Sequence, residues 1–470
     1  MTQSIHPKRL FKRFAATFFS VFLLINNASS FSPYSNSELD EIEKEFVAQI
    51  NNASNVLRDP LSNQYLNHLG KQLSAQTDVS PPPDFFIVNS DEINAFAGPG
   101  GHIGIHSTLF LISEHESELA AVMAHEIAHV RQHHLYHMLE HQRRMKAPMI
   151  ASLLAGIALG AIVPGIGQGA VMAALGGFAQ DSINFIRSNE KEADRIGIDM
   201  LKRAGFDPRG MTAFFKRMQE HARYSSVSVP TILRTHPLDD DRISEAEHRI
   251  STKNTPKTSP DSLNYALTKE RIRNLTSKQH NKRLRDDYNS RCPTLETLDN
   301  PCLYGRALTL MRENKPEQAF DILHSLAAEA HDNLYYGIAL AETESKLKKH
   351  DDAINRLKAL LDNYPENYAL IMAQAEAYSK ANQLDRAAYV LLQAHRSFPR
   401  DLPVCYALAG ASSDNHHKAQ AYFTYAECHL LQGNTKEARR FFKLAKTLSL
   451  KDRFLQARIN AKLDELKADK

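Results

Sequence analysis

The chain has 470 residues, of which 43% are apolar and 24% are charged, and its formal net charge is +3. This length exceeds one ordinary core and predicts two or three domains, and the composition is that of a globular protein. The near-neutral charge, without a basic stripe interleaved with aromatic residues, argues against a nucleic-acid partner.

Residues 1–30 have the pattern of a secretory signal peptide. A largely apolar stretch of twelve residues, Phe14 to Ile25, follows a cluster of four basic residues. Twelve residues are too few to span a bilayer comfortably, so we expect cleavage near Ala28 to Ser30 rather than a retained anchor. The sequence therefore predicts an exported protein.

Helices around a small β-sheet are predicted next. Residues 37–77 are helical in pattern, and Asp59-Pro60 begins a helix with Asp as the cap and Pro at the first position. The strand and hairpin signals follow in chain order: Phe85–Val88, then Ile93–Ala97 and His102–Ile105 around Gly98-Pro99-Gly100-Gly101.

The next segment predicts one long helix followed by an apolar stretch. Ser113-Glu114-His115-Glu116 has the spacing of a capping box, and the helix that it opens is expected to run to about Arg144. Residues 149–179 are apolar and rich in Gly and Ala, but each half is shorter than the roughly 20 residues of a membrane span. We expect a helical pair that is buried or touches a membrane surface; a transmembrane hairpin is the alternative.

Helical patterns return at 184–204 and 208–224, and 251–261 has the composition of a linker. A charged helix over about 262–287 follows it. We therefore divide the mature chain into a first domain at 31–260, a helical linker at 261–300 and a last domain at 301–468.

The last third of the chain repeats with a period of 34 residues. Two sets of alanines and one pair of prolines have this spacing: Ala307, Ala341 and Ala375; Ala319, Ala353 and Ala387; Pro365 and Pro399. Small residues where two helices cross, with a terminal proline, are typical of tetratricopeptide repeats, which form an α-solenoid with a concave binding surface. Ala426 and Ala438 begin a further unit after about one extra helix. An unrelated helical bundle is the alternative.

The four cysteines all lie late in the chain. An even number in an oxidising compartment favours two disulfides, and the short-range pairings are Cys292 with Cys302 and Cys405 with Cys428. Four free, buried thiols remain the alternative.

The run His125-Glu126-Ile127-Ala128-His129 carries the chemistry. On a helix, residues four apart share a face, so His125 and His129 can bind one ion. Zinc binds imidazole well and acidifies a bound water, while Glu126 can take the proton of that water. The sequence therefore predicts a metallopeptidase helix.

A third ligand is expected from Glu190-Lys191-Glu192-Ala193-Asp194 on a later helix. Glu190 and Asp194 share a face, so Glu190 is the candidate ligand and Asp194 the candidate support for a ligand histidine. Glu192 is expected in solvent. A single solvated acidic face is the alternative.

His125–His129 with Glu190-x-x-x-Asp194 some sixty residues later resembles the M48 family of zinc peptidases. The segment Asn94-Ala95-Phe96-Ala97 with Gly100-Gly101-His102-Ile103 is similar to the strand pair that precedes the metal helix in that family. The resemblance implies a mainly α, zincin-like (gluzincin) domain with a small β-sheet and one Zn²⁺ per chain. An exported member with such repeats further implies the Gram-negative periplasm and a role in outer-membrane protein quality control.

The same resemblance draws attention to His236 and Arg242. As a fourth ligand His236 would hold the enzyme latent, and as a free imidazole it would stabilise the oxyanion of the tetrahedral intermediate; a surface histidine is the alternative. Arg242 would orient this segment or contact the substrate backbone, unless it is an ordinary surface arginine.

Two further patterns bear on binding. His133, His137 and His141 continue the four-residue spacing from His129, but the stripe rotates around the helix, so we expect no second metal site. An edge strand at Asn94, Ala95, Phe96 and Ala97 would pair with an extended substrate through its main chain.

Three functions remain in view. The first is a zinc endopeptidase that degrades misfolded or stalled exported proteins, with the repeats docking substrate or assembly machinery. The second is a chaperone or assembly factor for outer-membrane proteins with a latent metal site, and the third is a membrane-embedded peptidase. Glu126 favours the first over the second, because a structural zinc site has no need of a general base.

Overall fold

The computed structural model describes residues 35–140, 180–224, 229–251, 259–278, 281–294, 299–414 and 417–468. The predicted signal peptide and the apolar segment 149–179 lie outside the described residues. No helix in the described ranges is both long enough and apolar enough to cross a membrane.

The first half contains helices packed around a small mixed sheet. Its strands are β1 (Val56–Leu57), β2 (Asp84–Val88), β3 (Ala95–Ala97) and β4 (His102–His106). Its helices are α1 (Asn36–Asn52), α2 (Pro60–Ser74), α3 (Ser107–Ile112), α4 (Glu116–Arg131), α5 (His134–Glu140), α6 (Gln180–Ala204), α7 (Arg209–Tyr224), α8 (Thr231–Thr235) and α9 (Asp240–Ser251).

The four-stranded sheet has the order β1-β2-β4-β3. β2 and β4 are parallel, whereas β3 is antiparallel to β4 and forms the predicted hairpin with it. The turn between them has Gly100 and Gly101 at φ values of +69° and +79°, a conformation that glycine adopts without strain. The strand and hairpin predictions are confirmed, and β3 lies at one edge of the sheet.

The helix that begins at Pro60 is also confirmed. The Asp59 carboxylate accepts a hydrogen bond from the Ser62 backbone N–H at 2.9 Å, which satisfies one of the free donors at the helix start. α2 then buries one face, including Leu66 and Leu73, against the sheet and α4.

Two predictions around α4 are wrong. Ser113 is no cap of this helix, because its hydroxyl donates to the Leu109 carbonyl at 2.9 Å and so belongs to the end of α3. The helix also stops at Arg131, and His133 with φ +54° turns the chain into the separate helix α5. The described residues therefore contain two helices where one was expected.

The second half is a stack of helix pairs. The single charged helix expected at 262–287 is two helices, α10 (Leu263–Thr276) and α11 (Asn281–Arg291). The helices after them are α12 (Asn300–Arg312), α13 (Pro316–Glu329), α14 (Leu334–Lys346), α15 (His350–Asn363), α16 (Tyr368–Lys380), α17 (Leu384–Ser397), α18 (Leu402–Asp414), α19 (Lys418–Leu431), α20 (Thr435–Leu448) and α21 (Arg453–Ala468).

The predicted repeats are confirmed. Helix starts recur every 34 residues, at Asn300, Leu334 and Tyr368. The six alanines at the predicted helix crossings are at most 3% exposed, because a larger side chain would hold the paired helices apart. α18 is the extra helix before the unit that contains Ala426 and Ala438.

Both predicted disulfides are present, and the structure describes no free cysteine. Cys292–Cys302 joins the end of α11 to α12, and Cys405–Cys428 joins α18 to α19. The alternative of four free thiols is therefore wrong.

The two halves meet through polar contacts, of which the one between Arg271 and Asp59 is buried. The Arg271 guanidinium of α10 donates to the Asp59 carboxylate at 2.7 to 2.9 Å. At the other end of the interface, the side chains of Asn51 and Asn52 donate to the carbonyls of Leu431 and Gln432. The repeats thus pack against α1 and α2.

Candidate active site

The predicted motif lies on α4, the most enclosed helix of the first half. His125 and His129 point the same way, and their Nε2 atoms are 2.9 Å apart. Ala120, Ala121, Ala124 and Ala128 are wholly buried on the same helix, which allows α6 to pack closely against it. The motif is therefore held on a rigid element inside the core.

Glu190 and His236 complete the cluster from two other elements. The Glu190 carboxylate of α6 lies 3.3 Å from His125 Nε2 and 3.4 Å from His129 Nε2. His236 follows α8, and its Nδ1 lies 3.3 Å from His125 Nε2 and 3.1 Å from Glu190 Oε1. One ligand atom from each of the four residues falls within 4.8 Å of the others.

These four residues fit a divalent metal ion. Tetrahedral zinc with bonds of about 2.1 Å separates neighbouring ligand atoms by about 3.4 Å, close to the distances between Glu190 and the two histidines of the motif. The charge of the site also favours a bound cation. Three carboxylates are buried there, those of Glu126, Glu190 and Asp194, and Arg242 is the one guanidinium or ammonium group described beside them. With the histidines neutral, as metal ligation requires, these groups sum to two negative charges, which a divalent cation would balance.

Asp194 and Arg242 support the cluster from behind. Asp194 Oδ1 lies 2.9 Å from His125 Nδ1, on the side of the ring away from Glu190. Arg242 donates to both oxygens of Asp194, at 2.7 and 2.8 Å, and to the Pro237 carbonyl at 2.7 Å. Arg242 is 3% exposed, so it is no ordinary surface arginine, and its bond to the Pro237 carbonyl ties it to the segment that carries His236.

The neighbouring carboxylates raise the pKa of His125. Burial lowers the pKa of His125, but hydrogen bonds and charge from Asp194 and Glu190 outweigh it and raise the pKa to about 10. Burial also raises the pKa of Glu190, yet the surrounding histidines hold it well below its ordinary value. The site therefore favours positive charge at its centre.

Glu126 faces the cluster without a hydrogen-bond partner. It is 1% exposed, neither carboxylate oxygen has a partner in the described structure, and His236 Nε2 lies 3.5 Å from Oε1. A buried carboxylate without a partner costs stability, so its retention beside a metal-ligand cluster indicates a chemical role.

His134 is a neighbour of the metal-ligand cluster that was not predicted from the sequence. His134 is 7% exposed, and its Nδ1 lies 2.8 Å from His129 Nδ1. A continuous helix would have placed His133 on the metal side instead, and the break after Arg131 has no strong sequence signal. His133 and His137 are exposed, and His141 lies outside the described residues.

A cleft of about 900 Å³ runs beside the cluster. Phe96 and Ala97 of β3 and Gly98 line it, together with Glu126, His129 and Glu190. Asn94 and Ala95 are wholly buried, and the Asn94 carbonyl accepts from His106 N–H. Of the predicted substrate strand, Phe96 and Ala97 therefore face the cleft, and Gly98 just beyond it also lines the cleft.

Comparisons with known proteins agree with this geometry. Residues 60–250 match the model of peptidase family M48, and residues 335–367 match a tetratricopeptide repeat. The chain is similar to a protein of Escherichia coli K12 named beta-barrel assembly-enhancing protease, with 35% identity over 90% of this chain and 86% of that protein.

Two further relatives are also named as a protease or an endopeptidase. A protein of Vibrio cholerae named putative beta-barrel assembly-enhancing protease is 35% identical over 90% of this chain and 87% of its own length. The mitochondrial metalloendopeptidase OMA1 of Danio rerio is 26% identical over 64% of this chain and 56% of that protein.

Proposed function

Because the chain belongs to peptidase family M48, we propose that it is a zinc endopeptidase that hydrolyses misfolded or stalled exported polypeptides in a Gram-negative periplasm. Hydrolysis of peptide bonds by a metalloendopeptidase is the activity of this family. The observation that carries the proposal is the buried, unpartnered Glu126 carboxylate beside four converging metal-ligand side chains.

His125, His129 and Glu190 would hold one Zn²⁺ per chain. Two imidazoles and a carboxylate are a common zinc-peptidase ligand set, and a catalytic site keeps a fourth position for water or substrate. When bound, zinc supplies a Lewis acid that acidifies water and polarises the scissile carbonyl. Asp194 fixes the His125 ring so that Nε2 is free to bind the metal.

Glu126 would act as the general base and then as the general acid. It accepts a proton from the attacking water as the water oxygen bonds to the carbonyl carbon. It then delivers that proton to the amide nitrogen as the carbon–nitrogen bond breaks, so the amine leaves neutral. Burial keeps the carboxylate dry and aimed at the cluster.

His236 would have one of two roles. As a fourth ligand it closes the metal site and keeps the enzyme latent, and the 3.1 Å contact of its Nδ1 with Glu190 favours this position. As a free imidazole it would stabilise the oxyanion. Cleavage by His236→Ala separates the two, since a gain of activity supports the latent site and a loss supports the oxyanion role.

The cleft edge suggests how substrate binds. Along an antiparallel pair of strands, every second residue forms hydrogen bonds with the partner strand. Gly98 is such a residue, because its N–H donates to the His102 carbonyl. The preceding residue, Ala97, therefore directs its backbone N–H and C=O to the free edge of β3. An extended peptide would pair there through its main chain. This mode selects unfolded segments and reads little side-chain sequence.

The repeats would dock substrate or the machinery that assembles outer-membrane proteins. Solenoids of this type present a concave surface to peptides and proteins. The names of the Escherichia coli and Vibrio cholerae relatives support a role in β-barrel assembly. Peripheral membrane contact through residues 149–179 and cleavage of the signal peptide belong to this proposal.

The test is cleavage of an outer-membrane β-barrel protein, presented unfolded in one arm and folded in detergent in the other. The proposal predicts cleavage of the unfolded form by the signal-free protein or by His236→Ala, and none by Glu126→Gln variants of either. If zinc is bound but neither form is cleaved, the chaperone or assembly-factor function becomes the better account.

A further inference from the structure

The two histidines of the motif are supported differently. A metal-ligating histidine usually donates its second ring N–H to a nearby acceptor, which fixes the tautomer and the ring orientation. For His125 that acceptor is Asp194, at 2.9 Å. For His129 the group at this position is the ring of His134, with Nδ1 to Nδ1 at 2.8 Å and the ring planes at 73°.

The helix break brings His134 to this place. On a continuous helix, a residue five positions after His129 would lie about 140° around the axis. His133 instead adopts φ +54°, and the chain turns so that α5 begins at His134. The His134 ring then packs behind His129 and is 7% exposed.

The hydrogen-bond chemistry assigns a direction to this contact. If His129 offers Nε2 to the metal, its Nδ1 carries the proton and donates, so His134 Nδ1 must accept. The proton of neutral His134 then lies on Nε2, which is 3.5 Å from Glu192 Oε2. The Gln132 side-chain amide donates to the other Glu192 oxygen and holds that carboxylate near α5.

We propose that His134 is a positioning residue for the metal ligand His129. It accepts the Nδ1 proton of His129, fixes the tautomer that presents Nε2, and is itself oriented by Glu192. The ligand helix α6 thus supports both histidines, His125 through Asp194 and His129 through Glu192 and His134. The inference rests on the proposed metal site.

Zinc affinity, measured by competition with a chelator, tests the inference without any turnover. His134→Leu removes the acceptor at similar volume, and we expect zinc to bind about 10- to 100-fold more weakly. His134→Asn places an oxygen near the position of Nδ1, so it should restore most of the affinity. His137→Leu, an exposed histidine of the same helix, is the matched control and should bind zinc as the wild type does.

The outcomes separate this inference from the proposed function. If the wild type binds zinc tightly and His134→Leu binds it equally well, the positioning role is overturned while the metal site stands. If His134→Asn is as weak as His134→Leu, the effect is packing and the hydrogen-bond role is overturned. If the wild type binds no zinc, the proposed function fails and this inference fails with it.

Discussion

The two halves of the molecule bury different kinds of residue where their helices meet. Between α4 and α6, four titratable side chains are almost fully buried beside the alanines of α4: His125, Glu126, Glu190 and Asp194. Between the paired repeat helices the predicted crossing positions are alanines, such as Ala319 and Ala353 at 0% exposure. The first arrangement costs stability and provides chemistry, whereas the second provides close packing and a surface.

The largest effect is expected at the general base. Glu126→Gln keeps the shape of the side chain and breaks no hydrogen bond, because neither oxygen has a partner in the described structure. Cleavage of an unfolded polypeptide should fall about 10²- to 10⁴-fold, while zinc content and melting temperature stay near those of the wild type. Glu41→Gln, on the exposed face of α1, is the control. Equal activity of the two variants would remove Glu126 from the mechanism.

The next effect concerns the buried cation of the peptidase half. Arg242→Leu leaves the carboxylates of Asp194 and Glu190 buried without their guanidinium, and we expect the zinc-free protein to lose about 3–5 kcal/mol of unfolding free energy. Bound zinc should recover part of this loss, since it also neutralises Glu190. Denaturant unfolding with and without zinc measures both values. A variant as stable as the wild type in both conditions would contradict the charge argument.

The repeat half should respond to its disulfides and not to zinc. Cys405→Ala with Cys428→Ala opens a link across 23 residues, worth about 3 kcal/mol in the chain-entropy model. Calorimetry should show a lower transition temperature for the repeat half, with unchanged cleavage of a short peptide. If peptide cleavage falls together with repeat stability, the two halves do not behave independently, which would contradict this prediction.

The smallest effect is expected at the contact between the halves. Burial raises the pKa of Asp59, but the charge and hydrogen bonds of Arg271 outweigh it and lower the pKa on balance. The ion pair therefore stabilises the fold above the ordinary aspartate pKa, and this contribution is lost as pH falls through the lowered value.

Asp59→Asn isolates that charge, because Asn still caps a helix and Glu342 remains 3.8 Å from Arg271. We expect a loss of about 2 kcal/mol at neutral pH that shrinks as the solution is acidified. Unfolding free energies from pH 7 to pH 3 measure the difference. A constant gap between wild type and variant across this range would refute the assigned role of the charge.

The two halves also differ in how much of each could be predicted from the sequence. The repeats could be predicted because small residues recur every 34 positions, as Ala307 and Ala341 do. The disulfides could be predicted because each one joins cysteines that are close in sequence. The spacing of His125 and His129 likewise follows from helix geometry.

The remaining features depend on contacts that sequence spacing does not contain. Ser113 had the right neighbours for a cap, but its hydroxyl is used by the preceding turn. His134 became a neighbour of His129 through one left-handed residue, and Arg242 was located behind Asp194 by the packing of α9 on α6. Such positions depend on how whole elements pack.

Titration of zinc into chelator-stripped protein, followed by cleavage of an unfolded polypeptide, tests the central claim most directly. The titration should be run on whichever of the wild type and His236→Ala is more active. The Glu190→Ala substitution made in that same protein is titrated beside it. We expect activity to rise to a plateau at one zinc per chain, and we expect Glu190→Ala to reach no such plateau. Cleavage that persists without zinc, or an unchanged plateau in Glu190→Ala, would contradict the claim.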